Sequence, residues 1–203
     1  MKKTIWLATN SEDKIKEFNF LLDYFEIKTL KDIDKNIDIV EDGITFVDNA
    51  MIKAKYLSNL VKGIIIADDS GLCINNLNGF PGVHSKRWAG ENISDWNIIN
   101  NKLLDILKAN DLNTIEKRSA YFNCTLAMID TDSNISEIFE GKVDGYIGFD
   151  QAGSEGFAYD KVFIPNGYDK TFAQLGFEIK QQLSHRSIAI KKLANHLKNN
   201  YKF

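Results

Sequence analysis

With 44% hydrophobic and 26% charged residues and a formal net charge of -3, this 203-residue chain has the make-up of an ordinary soluble globular protein. The slight acidity excludes a protein that coats nucleic acid through bulk positive charge, although a phosphate-binding enzyme can still gather a few cations in one place. No apolar run reaches membrane-spanning length, and the opening MKKTIWLATN turns polar too soon for a signal h-region. Cys73 and Cys124 lie far apart in apolar runs and form no CxxC pair, so they read as buried free thiols in a reducing cytoplasm. The length suits one continuous domain over residues 1–203, with polar surface loops at 31–38 and 111–116.

Residues 4–8 are an apolar run of the kind that forms a strand buried on both faces, and it stops at Thr9-Asn10-Ser11. Ile15, Phe18, Leu22 and Phe25 then recur at helical spacing, with Glu12 and Asp13 in the first turn, where the dipole favours acids. Thr45 is placed to cap a second helix, whose buried stripe runs Phe46, Ala50, Ala54, Leu57, Val61 until Gly63, with Asn49 and Lys53 on another face. A second buried strand over 64–67 is expected to end at Asp68-Asp69-Ser70-Gly71, before a short apolar segment at 72–74. Ser94 is the expected cap of a helix carrying Trp96, Ile99, Leu103 and Ile106. Residues 119–129 and 135–147 read as strands joined by a hairpin turn at 130–134, and a short strand at 162–164 precedes the turn Pro165-Asn166-Gly167. Ser184 is placed to cap a last helix with core positions Ile190, Leu193 and Leu197. Helices interleaved with strands, and a hairpin in the second half, predict a mixed α/β sheet.

The strongest chemical signal is acidic: Glu41 in EDGITF, and Asp68 with Asp69 in IADDSG. Adjacent carboxylates at the end of a buried strand need compensation, and Mg²⁺, a hard cation that takes oxygen ligands and bridges phosphates, would supply it. On the DDSG fragment alone, one capping and one solvated aspartate is the plainer reading. A cationic set comprises Lys14, Lys53 on the exposed face of its helix, Lys180, His185 and Arg186, each of which taken singly reads as a solvated charge. Lys14 follows a turn that opens a helix, where free N–H groups and the dipole attract phosphate. His185 and Arg186 stand in the first turn after Ser184, where cations oppose the dipole, a local misfit that points to function. In GSEGFAYD (153–160), glycines permit close backbone approach, while Phe157 or Tyr159 offers either a stacking surface or a core ring.

Five segments, ATNSEDKIKEF, EDGITFVDNAMIKAKY, IADDSGLCINNLNGFPGVHSKRWAG, GSEGFAYDKVFIPNGYDKTFAQL and SHRSIAIKKL, together resemble the inosine triphosphate pyrophosphatase family, also called the dITP/XTP pyrophosphatases, in its order and spacing. The resemblance implies a long curved mixed sheet flanked by helices, two lobes around a nucleotide cleft, and a homodimer. It implies hydrolysis of ITP, dITP and XTP to the monophosphate and pyrophosphate, with Mg²⁺ held by Glu41 and Asp69 and with Asp69, helped by Asp68, as general base. By position, Thr9, Asn10, Ser11, Glu12, Asp13 and Lys14 form the triphosphate turn, joined by Lys53. Ser70, Phe157, Ala158, Tyr159, Asp160, Lys180, His185 and Arg186 fall where the family contacts nucleotide. The chain departs from the family's usual residues at Ser11 (Asn), Ala158 (Gly), Lys161 (Pro), Gln174 (acidic) and Ser187 (Gly). A septum-inhibitor (Maf-like) pyrophosphatase of different base preference and an inactive nucleotide sensor are the competing readings. The SHR segment argues against the first and the three retained carboxylates against the second.

Overall fold

The computed structural model describes residues 2–34, 37–90 and 92–201. Its elements run β1 (Thr4–Leu7), α1 (Glu12–Leu21), β2 (Glu26–Thr29), α2 (Phe46–Ser58), β3 (Ile64–Ile74), α3 (Trp96–Ala109), β4 (Ser119–Asp130), β5 (Ile135–Ile147), β6 (Phe163–Pro165), α4 (Phe172–Leu175), α5 (Phe177–Leu183) and α6 (His185–Asn200). The sheet order is β2-β1-β3-β4-β5-β6. β1 pairs in parallel with both β2 and β3, whereas β5 and β6 are antiparallel, so the sheet is mixed and the fold is α/β, as expected.

Contacts divide the chain into two compact units. The first comprises Met1–Ser70, Cys124–Gly141 and Arg186–Phe203, and the second Gly71–Asn123 and Lys142–His185. Within the first unit, Phe18 and Leu22 of the α1 region, Ile64 and Ile66 of β3, and Ile190 and Leu193 of α6 share one core. Ala50, Ala54 and Leu57 of α2 pack with Ile65 and Ala67 in another. Residues 64 and 66 therefore face one core and 65 and 67 the other, which is the period-two alternation of a strand buried on both sides. The second unit has its own aromatic core, with Phe122, Tyr159, Phe163 and Phe172 fully or almost fully buried.

Thr45 caps α2 as expected: its Oγ1 accepts from the Asp48 amide at 3.1 Å, and the Asp48 carboxylate accepts from the Thr45 amide at 3.0 Å. The hairpin strands β4 and β5 fall where the alternation put them, and β6 lies one residue later than expected. Four expectations need correction. β3 does not stop at residue 67 but continues through Asp68-Asp69-Ser70-Gly71 to Ile74, because cationic partners offset its charges and tertiary pairing overrides weak strand propensity. The cap of α3 is Asp95, whose Oδ1 accepts from the Asn97 amide at 2.8 Å, rather than Ser94. α2 ends at Ser58, leaving Val61 beyond the turn that follows it. α1 ends at Leu21, leaving Leu22 and Phe25 beyond it, and β2, four mostly polar residues, EIKT, gave no periodic signal. Of the loop expected at 31–38, Leu30–Asp32 includes a single 3₁₀ turn, and positions 35 and 36 lie outside the described residues. Cys73 and Cys124 are buried free thiols, as expected. Among the described residues, no helix is long and apolar enough to cross a membrane.

Candidate functional site

Because Asp68 and Asp69 are consecutive within a strand, the pleat sends them to opposite faces, and each meets a different set of partners. Asp68 faces α1 and α6: Lys14 Nζ lies 2.7 Å from its Oδ1, and Arg186 Nε lies 3.2 Å from its Oδ2. Ser70, two residues on and so on the same face, donates its hydroxyl to Asp68 Oδ2 at 2.8 Å. Arg186 in turn reaches Glu17 Oε2 of α1 at 2.5 Å. Burial by itself would raise the pKa of Asp68, but the Lys14 and Arg186 charges hold its carboxyl far below the usual carboxylate range. Burial would likewise lower that of Arg186, and Glu17 and Asp68 reverse this, so the guanidinium stays charged.

Asp69 faces α2. Lys53 Nζ lies 2.8 Å from Glu41 Oε1 and 3.4 Å from Asp69 Oδ1, so one ammonium serves both carboxylates. The expectation of an exposed Lys53 is therefore corrected: it is 6% exposed, drawn in by this acidic pair. Burial raises the pKa of Asp69, and although Lys53 opposes this, the neighbouring Glu41 charge adds to it, leaving the carboxyl a better proton acceptor than an ordinary aspartate. Lys53 itself is pushed down by burial but raised more by Asp69, Asp68 and Glu41, and it remains an ammonium.

The triphosphate-turn candidates occupy the start of α1. Thr9 Oγ1 accepts from the Ser11 amide at 3.2 Å, and Asn10 Nδ2 donates to the Ile37 carbonyl at 3.0 Å. Glu12 pairs with Lys31, and Asp13 is exposed. Lys14, on the third residue of the helix, is the member of this turn joined to the carboxylates. The expected dipole misfit at the start of α6 has a physical answer, since Arg186 sits against two carboxylates that outweigh the adverse dipole.

The second unit gathers the aromatic candidates. Lys180 Nζ lies 2.6 Å from Asp160 Oδ2 and 4.4 Å from the centre of the Phe157 ring. Asp160 also accepts from the Phe157 amide at 2.8 Å, so one buried carboxylate fixes both the ring's backbone and the ammonium above it. Gly156, at φ +76°, makes room for that carboxylate: a Cβ there would stand 2.2 Å from Asp160 Oδ2. The glycine thus admits a protein group rather than a ligand. Ala158 holds φ +56°, a left-handed conformation that glycine adopts without strain. His185 stacks on Phe122 with ring centres 4.6 Å apart. Tyr159 is corrected from stacking candidate to core residue, being 1% exposed with its hydroxyl accepting from Trp88 Nε1 at 2.7 Å and donating to the Ser85 carbonyl at 2.5 Å. Arg186 pairs with Glu17 and Asp68 within the first unit.

Among the described residues, no group of three or more His, Cys, Asp or Glu side chains forms a metal cage. The donor set at Asp69 nevertheless fits Mg²⁺, which is commonly held by one or two carboxylates, with waters and substrate phosphates completing its shell. Glu41 and Asp69 converge on one cation already, and that cation is a single charge against two. Sequence reading missed Glu17 and Asn49 as members of these networks. The signals were slight: Glu17 stands three residues after Lys14, and Asn49 four before Lys53, each pair sharing a helix face.

Compared with known proteins, residues 5–196 match the model of the Ham1 family. The chain is 38% identical over 202 residues to the dITP/XTP pyrophosphatase of Clostridium tetani, covering 97% of each chain. It is 41% identical over 196 residues to that of Bacillus subtilis, covering 96% of each. Among solved structures, the Staphylococcus aureus Ham1 protein superimposes with a TM-score of 0.85 at 35% identity, over 98% of this chain and 100% of that one. A HAM1 protein from Coxiella burnetii gives 0.86 at 35% identity, over 97% and 99%.

Proposed function

The chain belongs to the Ham1 family, and from that membership we propose that it hydrolyses the non-standard purine nucleotides ITP, dITP and XTP to nucleoside monophosphate and pyrophosphate. The observation that carries this reading is the convergence of Glu41 and Asp69 on Lys53, with Lys14 held at the neighbouring Asp68. Such a group of carboxylates and ammonium ions suits phosphoryl chemistry, where positioning and charge neutralisation do most of the catalysis. Asp69, its pKa raised, takes the proton of the water that attacks the α-phosphorus. Lys14 and Lys53 neutralise charge that grows on the departing pyrophosphate. Mg²⁺ bound by Glu41 and Asp69 would lower the pKa of the attacking water and offset phosphate charge. Asp68, kept ionised by Lys14 and Arg186, anchors Lys14 and does not accept the proton.

On the base side, Phe157 supplies the ring and Lys180 a donor whose position Asp160 fixes. Hypoxanthine and xanthine carry an accepting oxygen at C6 where adenine carries a donating amino group, so a lysine donor prefers the former. The mismatch makes ATP at least about tenfold poorer than ITP. We further propose a homodimer acting in the cytoplasm, where reducing conditions keep Cys73 and Cys124 as thiols. The test is incubation with a panel of nucleoside triphosphates, with and without Mg²⁺, in ¹⁸O-labelled water. Label in the monophosphate alone, with pyrophosphate as co-product, is the expected result. Release of nucleoside diphosphate and phosphate, or a wild type that prefers ATP, overturns the proposal.

A further inference from the structure

Asn49 is fully buried on α2, on the face it shares with Lys53, at a position where an apolar residue would cost nothing to bury. Both ends of its amide are engaged. Nδ2 donates to Asp69 Oδ2 at 3.2 Å, and Oδ1 accepts from the backbone amide of Gly43 at 2.8 Å. The orientation is unique, because turning the amide over would set oxygen against a carboxylate and NH₂ against an N–H group. Gly43 is two residues beyond Glu41 in the chain. Its approach to Asn49 demands glycine, since a Cβ there would lie 2.7 Å from Asn49 Oδ1 and 2.6 Å from Asp48 Cβ.

From this geometry we propose that Asn49 is a positioning residue that sets Glu41 and Asp69 relative to each other. By holding Oδ2, it fixes the rotation of the Asp69 carboxylate so that Oδ1 is the oxygen turned to the shared Lys53 ammonium. By holding the Gly43 amide, it ties the segment that carries Glu41 to the same helix that carries Lys53. One neutral side chain thus links both carboxylates through separate atoms, and neutrality matters: a carboxylate here would keep the Gly43 bond and repel Asp69. The inference rests on the proposed hydrolase reading for its kinetic consequence, but its effect on cation binding stands apart from turnover.

Three variants test it: Asn49→Ala removes both bonds, Asn49→Asp keeps the Gly43 bond alone, and Gly43→Ala strains the same bridge from its other end. Hydrolysis of dITP is measured together with Mn²⁺ binding, the latter by electron paramagnetic resonance of free Mn²⁺, and circular dichroism verifies folding. Groups that orient metal-binding carboxylates typically contribute roughly 10- to 100-fold to affinity or rate. Each variant is expected to bind Mn²⁺ more weakly and to turn over more slowly by about that factor, with the KM for dITP changed less than about threefold. Folded Asn49→Ala and Asn49→Asp proteins that match wild type in both Mn²⁺ affinity and kcat overturn the inference, as does a loss confined to KM. A wild type that binds Mn²⁺ but releases no pyrophosphate sinks the hydrolase reading instead and leaves the Mn²⁺ comparison to decide the bridge.

Discussion

Replacing Arg186 with Met probes the buried network on the Asp68 face of β3. In wild type, two cations, Lys14 and Arg186, balance two carboxylates, Glu17 and Asp68, so the group is neutral. Methionine keeps much of the apolar stem but removes one positive charge, leaving a net charge of -1 where Asp68 is 1% exposed. Breaking a buried ion pair from one side costs about 3–5 kcal/mol, chiefly because the remaining charge stays desolvated. For a chain of this length, each kcal/mol lowers Tm by about 2–4 °C, so a fall of roughly 6–20 °C is expected at neutral pH. The pH dependence separates this cause from simple loss of packing. Asp68 has a folded-state pKa below its unfolded value, so its stabilisation is present above about pH 4 and is lost as pH falls below that. Without Arg186, Asp68 is protonated more readily, which removes the unbalanced charge. The gap between wild type and variant should therefore be widest near pH 7 and narrow on acidification. Urea unfolding at several pH values measures it. A deficit below about 1 kcal/mol at pH 7, or one that stays constant with pH, would refute the argument.

Ala158→Gly should raise stability by about 0.5–1 kcal/mol, since relief of roughly 1–2 kcal/mol of left-handed strain exceeds the entropy added to the unfolded chain; a thermal melt that shifts downward contradicts this. Asp69→Asn should fold normally and lose about 10²- to 10⁴-fold in turnover, whereas near-normal kcat would remove Asp69 as the base. Lys53→Met should destabilise the nucleotide-free protein, because Glu41 and Asp69 lose their shared cation, and added Mg²⁺ should raise its Tm more than that of wild type; equal shifts would show that the two cations do not compete for one place. Chelation by EDTA should abolish hydrolysis and Mg²⁺ should restore it, and an unaffected rate would make the carboxylate group structural.

Much of this protein was decided locally. Burial period located the strands at 119–129 and 135–147, the first of which runs one residue further, and Thr45 marked the start of α2, because side-chain alternation and capping depend on neighbours in the chain. The carboxylates, the lysines and the aromatic loop were legible as types in a spaced pattern. Their assignments to partners were not. Whether Asp68 and Asp69 ended a strand or lay within it depended on the cations that would meet them, and the pleat that sends the two to different helices exists only once β3 is extended through them. Lys53 looked exposed because helix position alone cannot show an acidic pair drawing it inward. Arg186 sits beside His185 in sequence, yet its guanidinium is claimed by Glu17, 169 residues away. Buried charge is placed by long-range electrostatics, which has no periodic signature in a sequence, whereas burial of apolar faces does.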